Sequence, residues 1–131
     1  MANNYLEYVV TRNAKLTALI TLLNSGKLKI YTGTQPATEG AITGTLLATL
    51  VLNSTAGTVS GGVLTFNAIT SDTNAANTGT AGYAVLEESD GTTVLATGSV
   101  GTSSADFVLD TLSITAGSTV ACTAGTLTAP A

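Results

Sequence analysis

Residues 81–100 read AGYAVLEESDGTTVLATGSV. Two runs rich in Val, Leu, Ala and Thr flank ESDGTT, and Asp90-Gly91 suits a tight turn, so the stretch reads as a β-hairpin. The same grammar extends in both directions. LKIY (28–31) alternates apolar residues with lysine and sets Leu28 and Ile30 inward. TLLATLVLN (45–53), GVLTFNAIT (62–70), FVLDTLSIT (107–115) and STVACTAGTLT (118–128) all have strand-like composition. Between them lie TGTQPATEG, NSTAG, SGG, SDTNAANTG and ITAGS, which are dense in turn residues. About seven or eight short strands with turns every ~8–12 residues predict a β-sandwich or a barrel.

One segment breaks this period. In NAKLTALITLLNSG (13–26), Leu16, Leu19, Ile20 and Leu23 follow the i, i+3, i+4, i+7 spacing of an amphipathic helix. The pattern predicts a helix at about 14–24, with Asn13 as N-cap and Gly26 in the left-handed position past the last turn. No second helical pattern occurs, which argues against a parallel α/β architecture. Residues 1–12 read as an N-terminal arm. Tyr5, Leu6, Tyr8, Val9 and Val10 suit either pairing with a sheet edge of this or a neighbouring subunit, or an ordinary lead-in to the helix. Residues 13–131 then form a single domain.

Composition narrows the functional classes. Apolar residues make up 44% of the 131 positions, enough for a packed core. Charged residues make up 9%, against ~25% in an ordinary soluble domain. There are 26 Thr and 19 Ala. Such a surface lies against another protein with little desolvation and few long side chains to order. All four cations (Arg12, Lys15, Lys27, Lys29) fall in the first 30 residues, which carry +3 with Glu7; the remainder carries −7. That is too little positive charge for a nucleic-acid footprint. A basic end beside an acidic body suits a polar protein–protein contact, and solvated lysines near a helix are the plainer reading. Neither a signal-peptide pattern nor a membrane-span-length apolar run occurs, so the chain is expected to stay in the cytoplasm where it is made.

Catalytic constellations fare poorly. Without histidine, Ser-His-Asp and Cys-His arrangements and histidine-containing zinc sites are excluded. The single cysteine, Cys122, reads as a small buried hydrophobe sharing a strand face with Val120. LKIYTGTQPATEG (28–40) has the outline of a strand opening into a phosphate loop, yet it lacks the lysine of a P-loop. Glu87 and Glu88 point to opposite faces of a strand. Asp106 and Asp110 on one strand would stand ~13 Å apart, beyond the ~5–9.5 Å of glycoside hydrolysis. All of these read as solvated turn or edge acids. In SDTNAANTG, Asp72, Asn74 and Asn77 lack the spacing of a calcium loop and read as Asx turns. Enzymatic activity, a cofactor and a metal are not expected.

The order TRNAKLTALITLLNSGKLKIYTGTQPAT, TLLATLVLN, GVLTFNAITSD, GTAGYAVLEESDGTTVLATGSVGTSSADFVLD and SITAGSTVACTAGTLT resembles a family of small tailed-phage virion proteins encoded near the major capsid protein. IYTGTQPAT, GVLTFNAITSD and GSVGTSSADFVLD are the most telling pieces. The chain departs from the family's pattern at AGYAVLEESDG, where Tyr83 is the single aromatic. The resemblance implies a capsid decoration (cement) protein: a jelly-roll-like antiparallel β-sandwich of about seven or eight strands with one N-terminal α-helix. It would bind the assembled head lattice in the virion, with the major capsid protein as partner, and bridge capsid subunits as a homo-oligomer, dimer or trimer. Neither nucleic acid nor membrane is an expected partner. A minor tail, neck or fibre component of the same virion, or a carbohydrate-binding surface module, is the alternative. The expected contact residues are Tyr5, Tyr8, Arg12 and Lys15 of the arm and helix, and Thr34, Gln35 and Pro36 of the corner.

Overall fold

In the computed structural model, which describes residues 8–36, 41–90 and 92–128, the alternation in LKIY becomes strand β1 (Lys27–Tyr31). Leu28 and Ile30 are fully buried, and Lys27, Lys29 and Tyr31 face the opposite side of the sheet. The other strands are β2 (Leu46–Val51), β3 (Gly57–Ser60), β4 (Val63–Phe66), β5 (Gly79–Thr80), β6 (Tyr83–Glu87), β7 (Val94–Gly101), β8 (Phe107–Leu109), β9 (Ser113–Ile114) and β10 (Cys122–Thr128). The chain is mainly β, with one N-terminal helix and a curled, sandwich-like eight-stranded sheet in the order β2-β1-β6-β7-β8-β10-β4-β3. β5 and β9 form a separate pair.

The hairpin of residues 81–100 is the β6–β7 pair, from Tyr83↔Ser99 to Glu87↔Val94. Its turn is wider than a two-residue connection, because a bulge shifts the register between Leu86 and Glu87. Glu88 N–H donates to the Thr93 carbonyl at 3.0 Å. Asp90 closes the loop from inside: Oδ1 accepts from Thr92 N–H (2.9 Å) and Thr93 N–H (3.0 Å), and Oδ2 accepts from the Thr93 hydroxyl (2.7 Å). Gly91 lies outside the described residues. The two-residue turn is instead built at β3–β4, where Gly61 (φ +60°) and Gly62 (φ +77°) take the left-handed conformation that a tight hairpin requires.

Every pairing in the main sheet is antiparallel except β7–β8. There the chain leaves β7, turns through five residues (102–106), and re-enters parallel to it over two residue pairs. Reciprocal bonds make this short return possible: Asp106 Oδ2 accepts from Ser99 N–H, and Ser99 Oγ accepts from Asp106 N–H, both at 3.0 Å. FVLDTLSIT, which reads as one strand, is therefore two. Phe107–Leu109 stays in the main sheet, and Ser113–Ile114 leaves to pair with β5.

Helix α1 (Val9–Leu23) begins about one turn earlier than the periodicity predicts, so residues 9–12 belong to the helix rather than to an arm. Tyr8 is the N-cap and has no side-chain capping bond. Asn13, expected at the cap, sits inside the helix, and its Oδ1 accepts from Gly62 N–H at 2.8 Å. The amide thus ties the helix to the β3–β4 turn. Past the last turn Ser25, not Gly26, is left-handed (φ +58°). Gly26 is required for space: a Cβ there would strike the carbonyls of Glu87 and Leu23.

Leu16 and Leu23 are buried, and Leu19 and Ile20 pack beside them, as the spacing predicts. Each buried leucine contributes ~2 kcal/mol relative to exposure. They join Leu28, Ile30, Leu47, Leu50, Leu64, Phe66, Ala84, Leu86 and Phe107 in one cluster. Phe66 and Phe107 meet edge to face at 5.3 Å. The outer edge of β2 is sealed by the chain at 70–77. Val51 and Thr70 exchange backbone bonds, Asp72 Oδ2 accepts from Thr49 N–H, and Leu47 and Leu46 carbonyls accept from Ala76 N–H and the Asn77 amide. At the other edge, α1 packs along β3. Covering an edge in this way removes a template for unwanted strand pairing.

Candidate functional site

The loop that leaves β1 carries three of the expected contact residues. A bulge pairs Tyr31 with Leu46 after Ile30 with Ala48, so β1 and β2 part early. Thr32 then fastens the two arms of the loop. Its N–H donates to the Thr45 carbonyl (3.0 Å), and its hydroxyl oxygen accepts from Thr45 N–H (2.9 Å). Gly44, at φ +91°, lies so close to the Thr32 carbonyl that a Cβ would collide with it. Gly82 likewise leaves no room for a side chain against Gly33.

Two tyrosines stand under this corner. Tyr31 and Tyr83 are cross-strand partners on β1 and β6, and their rings stack with centroids 5.7 Å apart and planes 14° apart. Tyr83 is fully buried. Its hydroxyl accepts from Thr43 N–H at 3.1 Å and donates to the Thr43 carbonyl, pinning the second arm of the loop. From the first arm, Gln35 Nε2 donates to the Thr97 hydroxyl of β7 at 2.9 Å. Thr34 and Gln35 are exposed and Pro36 is half-buried, so an uncharged tip stands on a rigid aromatic base. Ala37–Gly40 lie outside the described residues.

Beside the tyrosines, on the same face of the sheet, Lys29 Nζ stands 2.8 Å from Glu87 Oε1. The Glu87 side chain is only 6% exposed. This corrects the reading of Glu87 as a solvated acid: it is the buried half of an ion pair, diagonal across β1 and β6. A charge so placed requires a partner, and Lys29 supplies one.

The remaining acids are held apart. Asp106 braces the β7–β8 return, and Asp110 lies past the end of β8 and is exposed, so the two do not share a strand. Backbone N–H groups hold the exposed Asp90 carboxyl well below the usual carboxylate range, Thr92 first and Thr93 next. Asp72 accepts backbone N–H groups from Thr49 and Asn74 on its two oxygens, while Asn77 points its amide at Leu46. The SDTNAANTG loop is thus an Asx-turn device that seals β2. Among the described residues no group of three or more His, Cys, Asp or Glu side chains converges as a metal site. Cys122 is buried, which raises its thiol pKa, and its sulfur donates to the Ala124 carbonyl.

The other expected contacts lie elsewhere. Tyr8 is 83% exposed at the helix start, and Lys15 is exposed on α1. The Arg12 guanidinium lies over Gly62 at the β3–β4 turn, so it faces its own fold rather than outward. Tyr5 lies outside the described residues. The helix residues sit with β3 and β4, whereas the corner sits with β1, β6 and β7. Tyr31, Thr43, Tyr83 and Thr97 carry the corner and are absent from the sequence-based set. One signal was available: two of the four tyrosines lie at strand ends beside glycine, in Tyr31-Thr32-Gly33 and Gly82-Tyr83. No described helix is long and apolar enough to cross a membrane. No protein-family model, curated protein or solved structure matches the chain.

Proposed function

We propose that the protein is a phage capsid decoration (cement) protein. It binds the assembled head lattice and stabilises it by bridging subunits of the major capsid protein. The observation that carries this reading is the corner at residues 32–36. IYTGTQPAT, one of the three most telling pieces of the resemblance, contains the uncharged Thr34-Gln35-Pro36 tip, which follows the stacked Tyr31 and is tied to β7 by the Gln35–Thr97 bond. Such a tip enters an interface with little desolvation, and its conformational entropy is already lost before binding. The protein works mechanically. A ligand that binds the assembled lattice and not the free subunit stabilises the lattice by linkage, and many weak, symmetry-repeated contacts act together.

The test is to image particles in which the protein is bound and count copies. Hundreds of copies at the joints between capsomers are expected. Copies confined to the tail or to one vertex would overturn the reading in favour of a tail, neck or fibre part. Thr34→Arg, on the exposed tip, is expected to lower capsid occupancy at least tenfold while leaving the fold intact.

A further inference from the structure

The fold does not use its four tyrosines alike. Tyr83 is fully buried, and its hydroxyl is taken up by both backbone groups of Thr43. Tyr8 is 83% exposed at the start of α1, and Tyr5 lies outside the described residues. Tyr31 falls between these cases. Its side chain is half-buried at the end of β1, and its ring stacks on Tyr83. Its hydroxyl has no hydrogen-bond partner among the described residues, and it is not shut away from solvent. The fold therefore fixes the ring and leaves the phenol unused.

The place of that phenol matters. Tyr31 and Tyr83 are cross-strand partners, so both side chains leave the same face of the sheet. The Tyr83 hydroxyl holds Thr43 in one arm of the corner, and Thr32-Gly33, next after Tyr31, begins the other arm. Tyr31 thus stands at the root of the Thr34-Gln35-Pro36 tip. Two residues back on the same face, the Lys29 charge is engaged by Glu87 at 2.8 Å.

We propose that Tyr31 anchors the corner on the major capsid protein, donating its phenolic hydrogen to an uncharged acceptor there, a backbone carbonyl or a side-chain amide oxygen. A ring already stacked has few rotamers left to lose on binding, so its contact area carries little entropic cost. Tyrosine is enriched at the energetic centres of interfaces because it joins a large apolar body to a hydrogen-bonding tip. The acceptor is uncharged because the tip offers no cation to a partner carboxylate, and the chain beyond residue 30 carries −7 and would repel one.

The role of Tyr31 rests on the capsid reading, and the outcomes separate the two. The chain is titrated onto heads of the same particle that carry none of it. Tyr31→Phe keeps the ring and its stack and removes only the unbonded hydroxyl. Its unfolding midpoint should match the wild type, whereas its affinity for the heads should fall about tenfold, as when a buried acceptor is left without its donor. Tetranitromethane should nitrate Tyr31 in the free chain and much less on the heads, with mass spectrometry locating the modified residue. Equal binding by wild type and Tyr31→Phe overturns the anchor and leaves the capsid reading standing. A loss of stability that matches the loss of affinity makes Tyr31 a structural residue and overturns it too. The same holds if Tyr31 fails to react in the free chain, or reacts as fast on the heads. A wild type that binds no heads removes the capsid reading, and the anchor with it.

Discussion

Tyr83 shows how much one side chain sets at the corner. Its ring is buried against Tyr31, and its hydroxyl satisfies both backbone groups of Thr43. Tyr83→Phe keeps the ring and removes only that hydroxyl. The expected loss is about 1 kcal/mol of stability, with faster amide exchange at Thr43 than at Thr32. Asp90 offers a pH test. Its carboxyl is held ionised by Thr92 and Thr93, so its folded pKa is depressed relative to the unfolded chain. The stability it contributes is present above the unfolded value of ~3.9 and is lost as pH falls toward the folded value. Carboxyl NMR at pH 3 should find Asp90 still ionised. Cys122 runs the opposite way: burial raises its thiol, so native protein should react slowly with thiol reagents at pH 8, and unfolding should release that reactivity.

At the scale of elements, the β1–β6 ladder is the most demanding. All five residues of β6 are buried, which gives the strand two covered faces: Ala84 and Leu86 point into the core cluster, and Tyr83, Val85 and Glu87 point toward the opposite face. The second face includes an ion pair, and this has a measurable signature. Lys29→Ala leaves the Glu87 carboxylate buried without its cation and should cost about 3 kcal/mol in denaturant unfolding. Replacing both partners, as Lys29→Met with Glu87→Leu, should recover most of that loss, because the buried charge is gone. The existence of α1, of β1 and of the β6–β7 hairpin is legible from period and punctuation alone. Their ends are not. The helix starts at Val9 because its first turn rests on the β3–β4 turn through Arg12 and Asn13, a contact 49 residues away in sequence for Asn13 and Gly62. FVLDTLSIT splits because Ile114 finds its partner at Gly79, and no local signal marks that exchange.

For the whole molecule, the asymmetry of charge leads to a further expectation. The corner tip is uncharged, and Asp72, Asp90 and Asp106 are engaged in bracing turns, so the proposed capsid binding should depend little on salt. Raising the ionic strength from ~50 to ~500 mM is expected to change occupancy less than threefold, whereas a charge-steered contact would weaken far more over that range. What the sequence by itself determined is the class of the fold and the inward sets of its strands and helix. Those depend on period, composition and turn chemistry, which are local. Only tertiary structure decided where the polar residues act. Glu87 looked like a turn acid until β1 placed Lys29 diagonally across from it. The stretch at 28–40, lacking the lysine of a phosphate loop, reads locally as a corner, and only the fold set Tyr83, some fifty residues on, beside Tyr31 at its base. A side chain's role depends on its neighbours' charge and hydrogen-bonding groups, and the neighbours are chosen by strand order, which local sequence does not encode.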